Sequence, residues 1–414
     1  MVINENADSV YLYNSYSGAF AKLEKEVYES INGIIEDNLP GPYFEDLLKQ
    51  GFIKPLELNE FNKILLIERS AIFEQSEENL TFVIAPTLTC NLNCTYCFER
   101  TYRHNVIMSE QTLTDIIGFI QKKLSSKNKK LHITWFGGEP LLAYKLILKF
   151  NQELKELIKD KDINYSSSMI TNGILLTEER VKALSEFGGL KKVQITIDGT
   201  EEVYCNQKNA TPKQFQQVLK NIKEALQYIK VTVRLNCNKD NFDNIKKVVY
   251  DLVEYCGIND NLDFYLAKLI DYNCVGDKSC FEQDEFDLKF LEFKKYLCSV
   301  LHKEFKPDIP KYRKSFCGLF KLKNLVIGPQ GELYKCEHFV GRDDKVIGNV
   351  KQGLFYTDEM LHFINNEVKE KCKACKIFPL CIGGCPAQKQ DLLEGQSCYY
   401  SEGYIKQLLL SYMK

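Results

Sequence analysis

The sequence contains little arginine and no long apolar segment. Only seven of its 54 basic residues are arginine, and the formal net charge is -2. This balance does not indicate nucleic acid or an anionic membrane as the main partner. No apolar run approaches the roughly 20 residues that a membrane-spanning helix needs. The polar, acidic first residues do not resemble a signal peptide, so we expect a cytoplasmic protein.

Cysteine, by contrast, is abundant. The chain has 16 cysteines among 414 residues, of which 44% are apolar and 27% charged. That composition is typical of a soluble globular protein, and the length is enough for two or three domains. Because cytoplasmic cysteines seldom form a disulfide framework, clustered thiols indicate metal binding. Three cysteines lie at 90–97 and seven lie between 317 and 398.

The first cysteine cluster is a short loop. Cys90, Cys94 and Cys97 follow an apolar run that ends at Thr89. Thiolates are the soft ligands that iron–sulfur clusters use, and three of them leave one iron of a four-iron cluster open to bind and activate a molecule. Cys94 and Cys97 alone would also fit a zinc knuckle or a redox dithiol, but neither of those sites needs Cys90.

Residues 1–79 are predicted to be a small separate unit. Turn formers, breakers and apolar spacing indicate a hairpin, two helices and two wing strands. These elements are strands at Val10–Tyr13 and Ala19–Leu23, a helix from Val27 to Ile35, a breaker at Pro40–Pro42, a helix through Leu47 and Leu48 capped by Gly51, and wing strands at Phe52–Ile53 and Lys63–Ile67. The exposed edge of such a sheet can take an extended peptide as an added strand. The same pattern also fits a packing extension.

From Leu80 to about His302, strands alternate with helices. The six predicted strands are Phe82–Leu88, Leu131–Phe136, Tyr165–Thr171, Lys192–Asp198, Val231–Asn236 and Leu262–Ala267. Apolar stripes predict helices between them, the first with Ser109 as its N-cap. This alternation requires a parallel sheet with right-handed crossovers. Since six units are too few to close an eightfold barrel, we predict an α/β fold with an open, partial (β/α)6 barrel and its chemistry at the C-terminal strand ends.

Polar motifs follow several of these strands. Glycines allow close backbone approach, and carboxylates and carbonyls can receive an ammonium group. The motifs are Gly137-Gly138-Glu139-Pro140 after the second strand, Thr171-Asn172-Gly173 at the third, Asp198-Gly199 at the fourth, and Arg234 with Asn236 on the fifth. Each could also be an ordinary turn or strand cap.

The C-terminal part loses this alternation and is organised by cysteine. A hairpin at 326–335 precedes loops and a terminal helix through Ile405 and Leu408. The seven cysteines are Cys317, Cys336, Cys372, Cys375, Cys381, Cys385 and Cys398. Taken alone, the spacing from Cys372 to Cys375 also allows a zinc site.

These motifs resemble those of a known enzyme family. The cysteine loop, with aromatic Tyr96 in its last gap, resembles the signature of the radical S-adenosylmethionine (SAM) enzymes, whose fold is a six-unit partial barrel. The later cysteines, with Gly331 five residues before Cys336, resemble the SPASM extension of maturases of ribosomally synthesised peptides. The implied parts are a winged-helix-like peptide recognition unit at 1–79, the radical SAM barrel at 80–305 and a cysteine-rich SPASM domain at 306–414.

The resemblance implies SAM and three [4Fe–4S] clusters. The implied ligands are Cys90, Cys94 and Cys97 for the SAM-binding cluster, Cys372, Cys375, Cys381 and Cys398 for one auxiliary cluster, and Cys317, Cys336 and Cys385 for the other. The fourth ligand of that last cluster is not identified. Cys298 could reach it but equally fits the apolar core, and the alternatives are a non-cysteine ligand or an open iron that could bind a substrate thiolate. The implied SAM contacts are Gly137, Gly138, Glu139 and Pro140 at the amino group, and Thr171, Asn172, Asp198 and Arg234 at the barrel mouth.

One further residue and one departure bear on the chemistry. Glu337 matches the position at which sulfatase maturases carry a proton-accepting carboxylate, so it is a candidate general base, although it could equally be a surface residue. Related maturases often follow Asp-Gly with His-Asp-x-x-Arg. Here the stretch reads Tyr204-Cys205-Asn206-Gln207-Lys208, which puts any role carried from it in doubt.

The implied reaction is reductive cleavage of SAM to a 5'-deoxyadenosyl radical, which removes hydrogen from the substrate. We expect the substrate to be a precursor peptide with a leader, in which a thioether or another cross-link forms. The expected electron donor is a flavodoxin or ferredoxin, with no nucleic acid or membrane as partner. An anaerobic sulfatase maturase forming formylglycine is the alternative. A non-enzymatic metal-binding scaffold is a rival of another class, and it leaves residues 137–140 without a role.

Overall fold

The computed structural model describes all residues except 6–7, 30–43, 56, 74–77, 103–104, 271–277, 307, 313–316, 318–320, 366, 392–397 and 413–414. The strands are β1 Val2–Glu5, β2 Ser9–Tyr13, β3 Phe20–Glu24, β4 Asn79–Ile84, β5 Lys130–Trp135, β6 Asn164–Thr171, β7 Leu190–Thr196, β8 Lys230–Cys237, β9 Leu262–Lys268, β10 Leu325–Ile327, β11 Glu332–Tyr334, β12 Gly348–Asn349 and β13 Gly353–Leu354. The α-helices are α1 Phe44–Lys49, α2 Glu60–Phe73, α3 Glu110–Lys123, α4 Tyr144–Ile158, α5 Glu178–Glu186, α6 Glu201–Lys208, α7 Pro212–Ala225, α8 Phe242–Cys256, α9 Gln283–Val300, α10 Asp358–Asn365, α11 Phe378–Cys381, α12 Pro386–Asp391 and α13 Glu402–Leu410.

The central element is a parallel sheet in which β4 to β9 lie side by side in chain order. Alternate residues of these strands, such as Ile133 of β5, pack against the surrounding helices, while His132 and Thr134 face the other way and are half-buried. The predicted partial (β/α)6 barrel is therefore confirmed. Its first strand ends at Ile84, earlier than predicted, and Pro86 follows, which has no N–H to donate to a ladder.

The C-terminal part extends the same sheet. Strand β10 pairs in parallel with β4, and Val326 lies opposite Val83. Strands β11 to β13 then continue the sheet in antiparallel fashion, which gives ten strands in all. The predicted hairpin at 326–335 is confirmed, but nothing local in the sequence indicated that it would join the barrel. The domain boundary at 305 stays a prediction.

One prediction about the N-terminal unit is wrong. Lys63–Ile67, expected as a wing strand, lies within helix α2, and Phe52–Ile53 is not a strand either. The buried positions Ile64, Glu68 and Ile72 recur every four residues, which is the helical period and not the alternation of a strand.

The other N-terminal predictions fare better. The hairpin of β2 and β3 and the short helix ending before Gly51 are confirmed. Of the helix predicted from Val27 to Ile35, residues 25–29 are helical. Its remainder and the breaker at Pro40–Pro42 lie outside the described residues.

The N-terminal sheet packs against the end of the chain. Ile3 and Tyr13 share an apolar cluster with Ile405 and Leu409 of α13. The Tyr13 hydroxyl also donates to the carbonyl of Pro310 at 2.5 Å. Among the described residues, no helix combines the length and the apolar character that crossing a bilayer requires.

Candidate active site

A cavity of about 500 Å³ lies at the C-terminal ends of the barrel strands. It brings together all three loop cysteines and most of the predicted SAM contacts. The predicted site residues that line it are Cys90, Cys94, Cys97, Gly137, Gly138, Thr171, Asn172, Arg234, Glu337 and Cys398. Residues up to about 310 positions apart in sequence therefore meet around one space. Asn172 also reaches the loop, since its Nδ2 donates to Asn91 Oδ1 at 2.7 Å.

The two glycines after β5 fit tightly against the backbone that leads into the cysteine loop, residues 90–97. The amide of Gly138 donates to the carbonyl of Thr87 at 3.1 Å. A Cβ on Gly137 would lie 2.3 Å from the Thr87 oxygen, and one on Gly138 would lie 2.4 Å from the Thr89 oxygen. These contacts require glycine, so the pair fixes the position of the loop in addition to lining the cavity.

Glu139 holds two strand ends together and does not line the cavity. Its carboxylate is fully buried and accepts hydrogen bonds from the Leu141 amide at 3.0 Å, the Thr171 hydroxyl at 2.8 Å and the Asn172 amide at 2.8 Å. Burial raises the pKa of Glu139, and these hydrogen bonds oppose the rise. Pro140 is likewise buried, at the start of a short 3-10 helix. The predicted contact of Glu139 and Pro140 with the SAM amino group stays a prediction.

Asp198 is not at the cavity wall, contrary to its predicted place at the barrel mouth. It is fully buried, and its Oδ2 lies 3.1 Å from Lys208 Nζ. The hydroxyl of Tyr96 donates to the same oxygen. A buried carboxylate needs such partners because desolvation penalises an unpaired charge. The sequence analysis missed Lys208, whose only signal was the departure from the usual His-Asp-x-x-Arg stretch.

Arg234 and Glu337 both line the cavity from opposite parts of the chain. Burial raises the pKa of the Glu337 carboxyl, and the Arg234 guanidinium lowers it. Arg234 is held in place because its Nε donates to Asn236 Oδ1 at 2.9 Å. Next to Glu337, the ring of His338 packs against Phe98 with centroids 4.3 Å apart. The carboxyl is therefore sheltered from water yet within the field of a cation.

The later cysteines lie in two groups, and their predicted use as cluster ligands stays a prediction. In the first, Cys317 and Cys385 pack against the buried Cys336, whose pKa is raised by burial, by Glu337 and by both thiols. In the second, a hydrogen bond with Cys381 lowers the pKa of Cys398 to about 6. The members of the second set are Cys372, Cys375, Cys381 and Cys398.

The chemistry of these donors suits iron–sulfur clusters. Within the described ranges, no three histidine, cysteine or carboxylate side chains converge closely enough to hold a single metal ion. A four-iron cluster spreads its thiolate ligands over several iron atoms and so needs a wider set. Three soft thiols beside a cavity lined by hydrogen-bonding groups fit such a cluster together with a polar organic ligand.

An aromatic wall closes the side of the cavity formed by α9 and the start of α13. Its members are Phe286, Phe290, Tyr399, Tyr400 and Tyr404. The Tyr400 and Tyr404 rings stack with centroids 5.8 Å apart. Asp287 ties the two segments together by accepting from the Ser401 amide at 2.7 Å. The sequence analysis missed this wall because the stripe on α9 reads as ordinary core.

Comparison with known proteins agrees with this geometry. A family model of the Radical SAM superfamily matches residues 84–251. The chain is 26% identical over 343 residues to a cysteine-type anaerobic sulfatase-maturating enzyme of Clostridium perfringens, covering 74% of this chain and 88% of that enzyme. It is 21% identical over 430 residues to the radical SAM cyclopropyl synthase TigE of Paramaledivibacter caminithermalis, covering 92% of this chain and 87% of TigE. In fold it is similar to Streptococcus suis SuiB bound to precursor peptide SuiA, with a TM-score of 0.57, 14% identity and coverage of 97% and 99%.

Proposed function

Since the chain is an enzyme of the radical SAM superfamily, we propose that it is a maturase that removes hydrogen from a ribosomal precursor peptide and forms a thioether or another cross-link. One observation favours this substrate class. The similarity to TigE and to SuiB with its precursor peptide covers 92% and 97% of this chain. The similarity to the sulfatase maturase covers 74% of this chain in sequence and 81% in structure. An alignment over 97% of this chain must include most of residues 1–79, so the N-terminal unit supports this comparison in fold.

The cavity residues support this chemistry in separate ways. A [4Fe–4S] cluster on Cys90, Cys94 and Cys97 would supply one electron to SAM, whose cleavage gives the radical that takes hydrogen from the substrate. Thr171, Asn172 and the 137–140 turn would orient SAM beside the loop. The auxiliary cysteine sets would hold two further clusters. The aromatic wall excludes water from the side where a peptide side chain would sit.

Glu337 is the proposed general base. Its carboxyl lines the cavity, and burial raises its pKa although Arg234 opposes the rise; a carboxylate with a raised pKa binds a proton more tightly, which suits a proton acceptor. Cross-linking a cysteine thiol to carbon removes two hydrogens from the peptide, one as a hydrogen atom taken by the radical and one as a proton, and it releases one further electron, which a cluster on the Cys317, Cys336 and Cys385 set would accept. Glu337 would accept that proton. Replacing Glu337 with Gln should leave SAM cleavage measurable and reduce cross-linked product at least tenfold.

Strand β3 is the proposed leader site. Among the described residues, β3 pairs only with β2, which leaves its other edge open to an added strand. Lys25 N donates to Asp8 O, so the N–H of Lys25 points toward β2. Because the N–H groups of successive residues in a strand point in alternate directions, the N–H of Lys22, three residues earlier, points away from β2. Lys22→Pro should therefore weaken leader binding at least tenfold while the thermal unfolding midpoint changes little. Lys22→Ala, which keeps the N–H, is the control, and equal affinities for the two variants would contradict this site.

The reaction is tested by anaerobic reconstitution with iron and sulfide, followed by dithionite, SAM and a cysteine-bearing precursor peptide encoded near the gene. We expect 5'-deoxyadenosine, iron near three clusters per chain, and a peptide that keeps its sulfur and loses two hydrogens. A peptide that loses the sulfur of one cysteine and gains an aldehyde would establish the sulfatase-maturase alternative. Absence of 5'-deoxyadenosine would refute the radical reaction altogether.

A further inference from the structure

The strongest unexplained group in the described part of the chain is a buried lysine. Lys208, the last residue of α6, is 2% exposed, and it lies at the departure from the maturase pattern noted above. We propose that Lys208 is a positioning residue that clamps the cysteine loop to the end of α6 and places a fixed positive charge beside it.

The clamp is built from side-chain contacts that converge on Tyr96, a member of the loop. Lys208 Nζ donates to the Tyr96 hydroxyl at 2.9 Å and lies 3.1 Å from Asp198 Oδ2. Tyr96 donates in turn to Asp198. Asp198 is itself held because its other oxygen accepts from the Asn236 amide at 3.2 Å. The three side chains thus join the loop to the ends of β7 and β8.

Backbone contacts from the same helix end reinforce the clamp. The amide of Thr95 donates to the carbonyl of Gln207 at 2.8 Å. Asn209, in the left-handed conformation that ends α6, donates from Nδ2 to the carbonyl of Asn93 at 2.6 Å. Three consecutive residues, 207 to 209, therefore contact Thr95, Tyr96 and Asn93, which are three of the six residues between Cys90 and Cys97. A side chain that only filled the core would not require this arrangement.

The charge of Lys208 has a second consequence. Lys208 keeps its charge because its Nζ lies 3.1 Å from Asp198 Oδ2 and donates to the Tyr96 hydroxyl. Lys208 lines the cavity and Asp198 does not, so the positive end of this pair is the end at the cavity. Reduction adds a negative charge to an iron–sulfur cluster, so the positive end nearby favours the reduced form and raises the potential. This second effect rests on the proposed cluster, whereas the clamp itself does not.

Hydrogen exchange on the full-length protein without added iron tests the clamp. Tyr96→Phe keeps the Asp198–Lys208 pair and removes only the hydroxyl, so it should fold. We expect amide exchange in residues 90–97 to become roughly tenfold faster in Tyr96→Phe and Lys208→Met, with residues 144–158 unchanged. Lys149→Met, which removes an exposed ion pair with Glu110, is the control. Unchanged exchange in Tyr96→Phe would overturn the clamp.

Redox titration of the reconstituted protein, followed by electron paramagnetic resonance, tests the charge. The potential of the SAM-binding cluster should become more negative in Lys208→Met and return toward the original value in Lys208→Arg, which keeps the charge. If Lys208→Met does not fold, Asp198→Asn/Lys208→Met is compared with Asp198→Asn, because these two proteins differ only in the charge of Lys208. An unaltered potential would overturn the electrostatic role. Failure to form any cluster at Cys90, Cys94 and Cys97 in the original protein would instead refute the proposed function.

Discussion

At the residue scale, Glu139 shows how one carboxylate can organise a site without facing it. Both of its oxygens accept from groups at the ends of β5 and β6. In Glu139→Gln, one oxygen becomes an NH2 group that faces a donor, so one buried hydrogen bond is lost. We expect a loss of about 1–3 kcal/mol in the free energy of unfolding, measured by urea denaturation. Glu156→Gln on the exposed face of α4 is the control, and equal losses for both would contradict this role.

Asp287 offers a test by pH. Burial raises the pKa of this carboxyl, and hydrogen bonds from Ser401 and Gln283 oppose the rise. A raised pKa means that the folded protein binds the proton more tightly, so stability falls as pH rises from the ordinary carboxyl pKa of about 4 through the folded value. The side chain of Asp287→Asn does not ionise, so this variant does not lose stability in this way as pH rises.

The stability advantage of Asp287→Asn over the original protein should therefore grow between pH 4 and neutrality. Urea denaturation at several pH values measures it, with the exposed Asp240→Asn as reference. A difference that stays flat, or that shrinks with rising pH, would count against the burial of a charged Asp287.

At the scale of elements, helix caps give the cleanest comparison. Ser109 caps α3, and its hydroxyl accepts from the Thr112 amide at 3.0 Å, whereas Thr177 at the start of α5 makes no such hydrogen bond. Ser109→Ala should lower the free energy of unfolding by about 1 kcal/mol. Thr177→Ala should lower it by clearly less. Chemical denaturation of both variants checks this, and a larger effect at Thr177 would show that the cap hydrogen bond is not the cause.

Elements of the barrel were predictable because their signals are local. The strands β4 to β9 and the cap at Ser109 follow from period, propensity and neighbouring turn residues. The strand predicted at Lys63–Ile67 was wrong because four apolar residues in a row, 64–67, hide the spacing of four residues that only the longer segment reveals. The pairing of β10 with β4 joins positions about 240 residues apart, and no local pattern encodes it.

The site residues also divide into those that a local motif predicts and those whose surroundings depend on distant parts of the chain. The resemblance to the SPASM extension predicted two later thiol sets, and their use as cluster ligands stays a prediction. Asp198 can be buried because Lys208 and Tyr96 bind its carboxylate, and Glu139 can be buried because the Thr171 hydroxyl donates to its carboxylate. Such partners cannot be read from the motif that contains the carboxylate.

At the scale of the whole molecule, the N-terminal unit is part of the packed structure. Removing residues 1–79 would expose the face of α13 that contains Ile405 and Leu409 and would delete strand β1 beside it. We expect the truncated chain to unfold at a lower temperature than the intact protein and to bind a hydrophobic dye. If its unfolding temperature were unchanged, the unit would be an appendage, and loss of peptide binding on truncation could then be assigned to it directly.

The partnership of β4 with β10 also sets the order in which the protein can be completed during synthesis. Strand β4 carries the cysteine loop at its end, yet one of its edges has no partner until residues near 327 leave the ribosome. At about 5–20 residues per second, roughly 240 residues take about 10–50 s. Over that interval the edge is open to other chains, which is the situation that promotes aggregation. Delivery of iron and sulfide to the first cysteine loop can begin early, but its sheet is finished only by the last quarter of the chain.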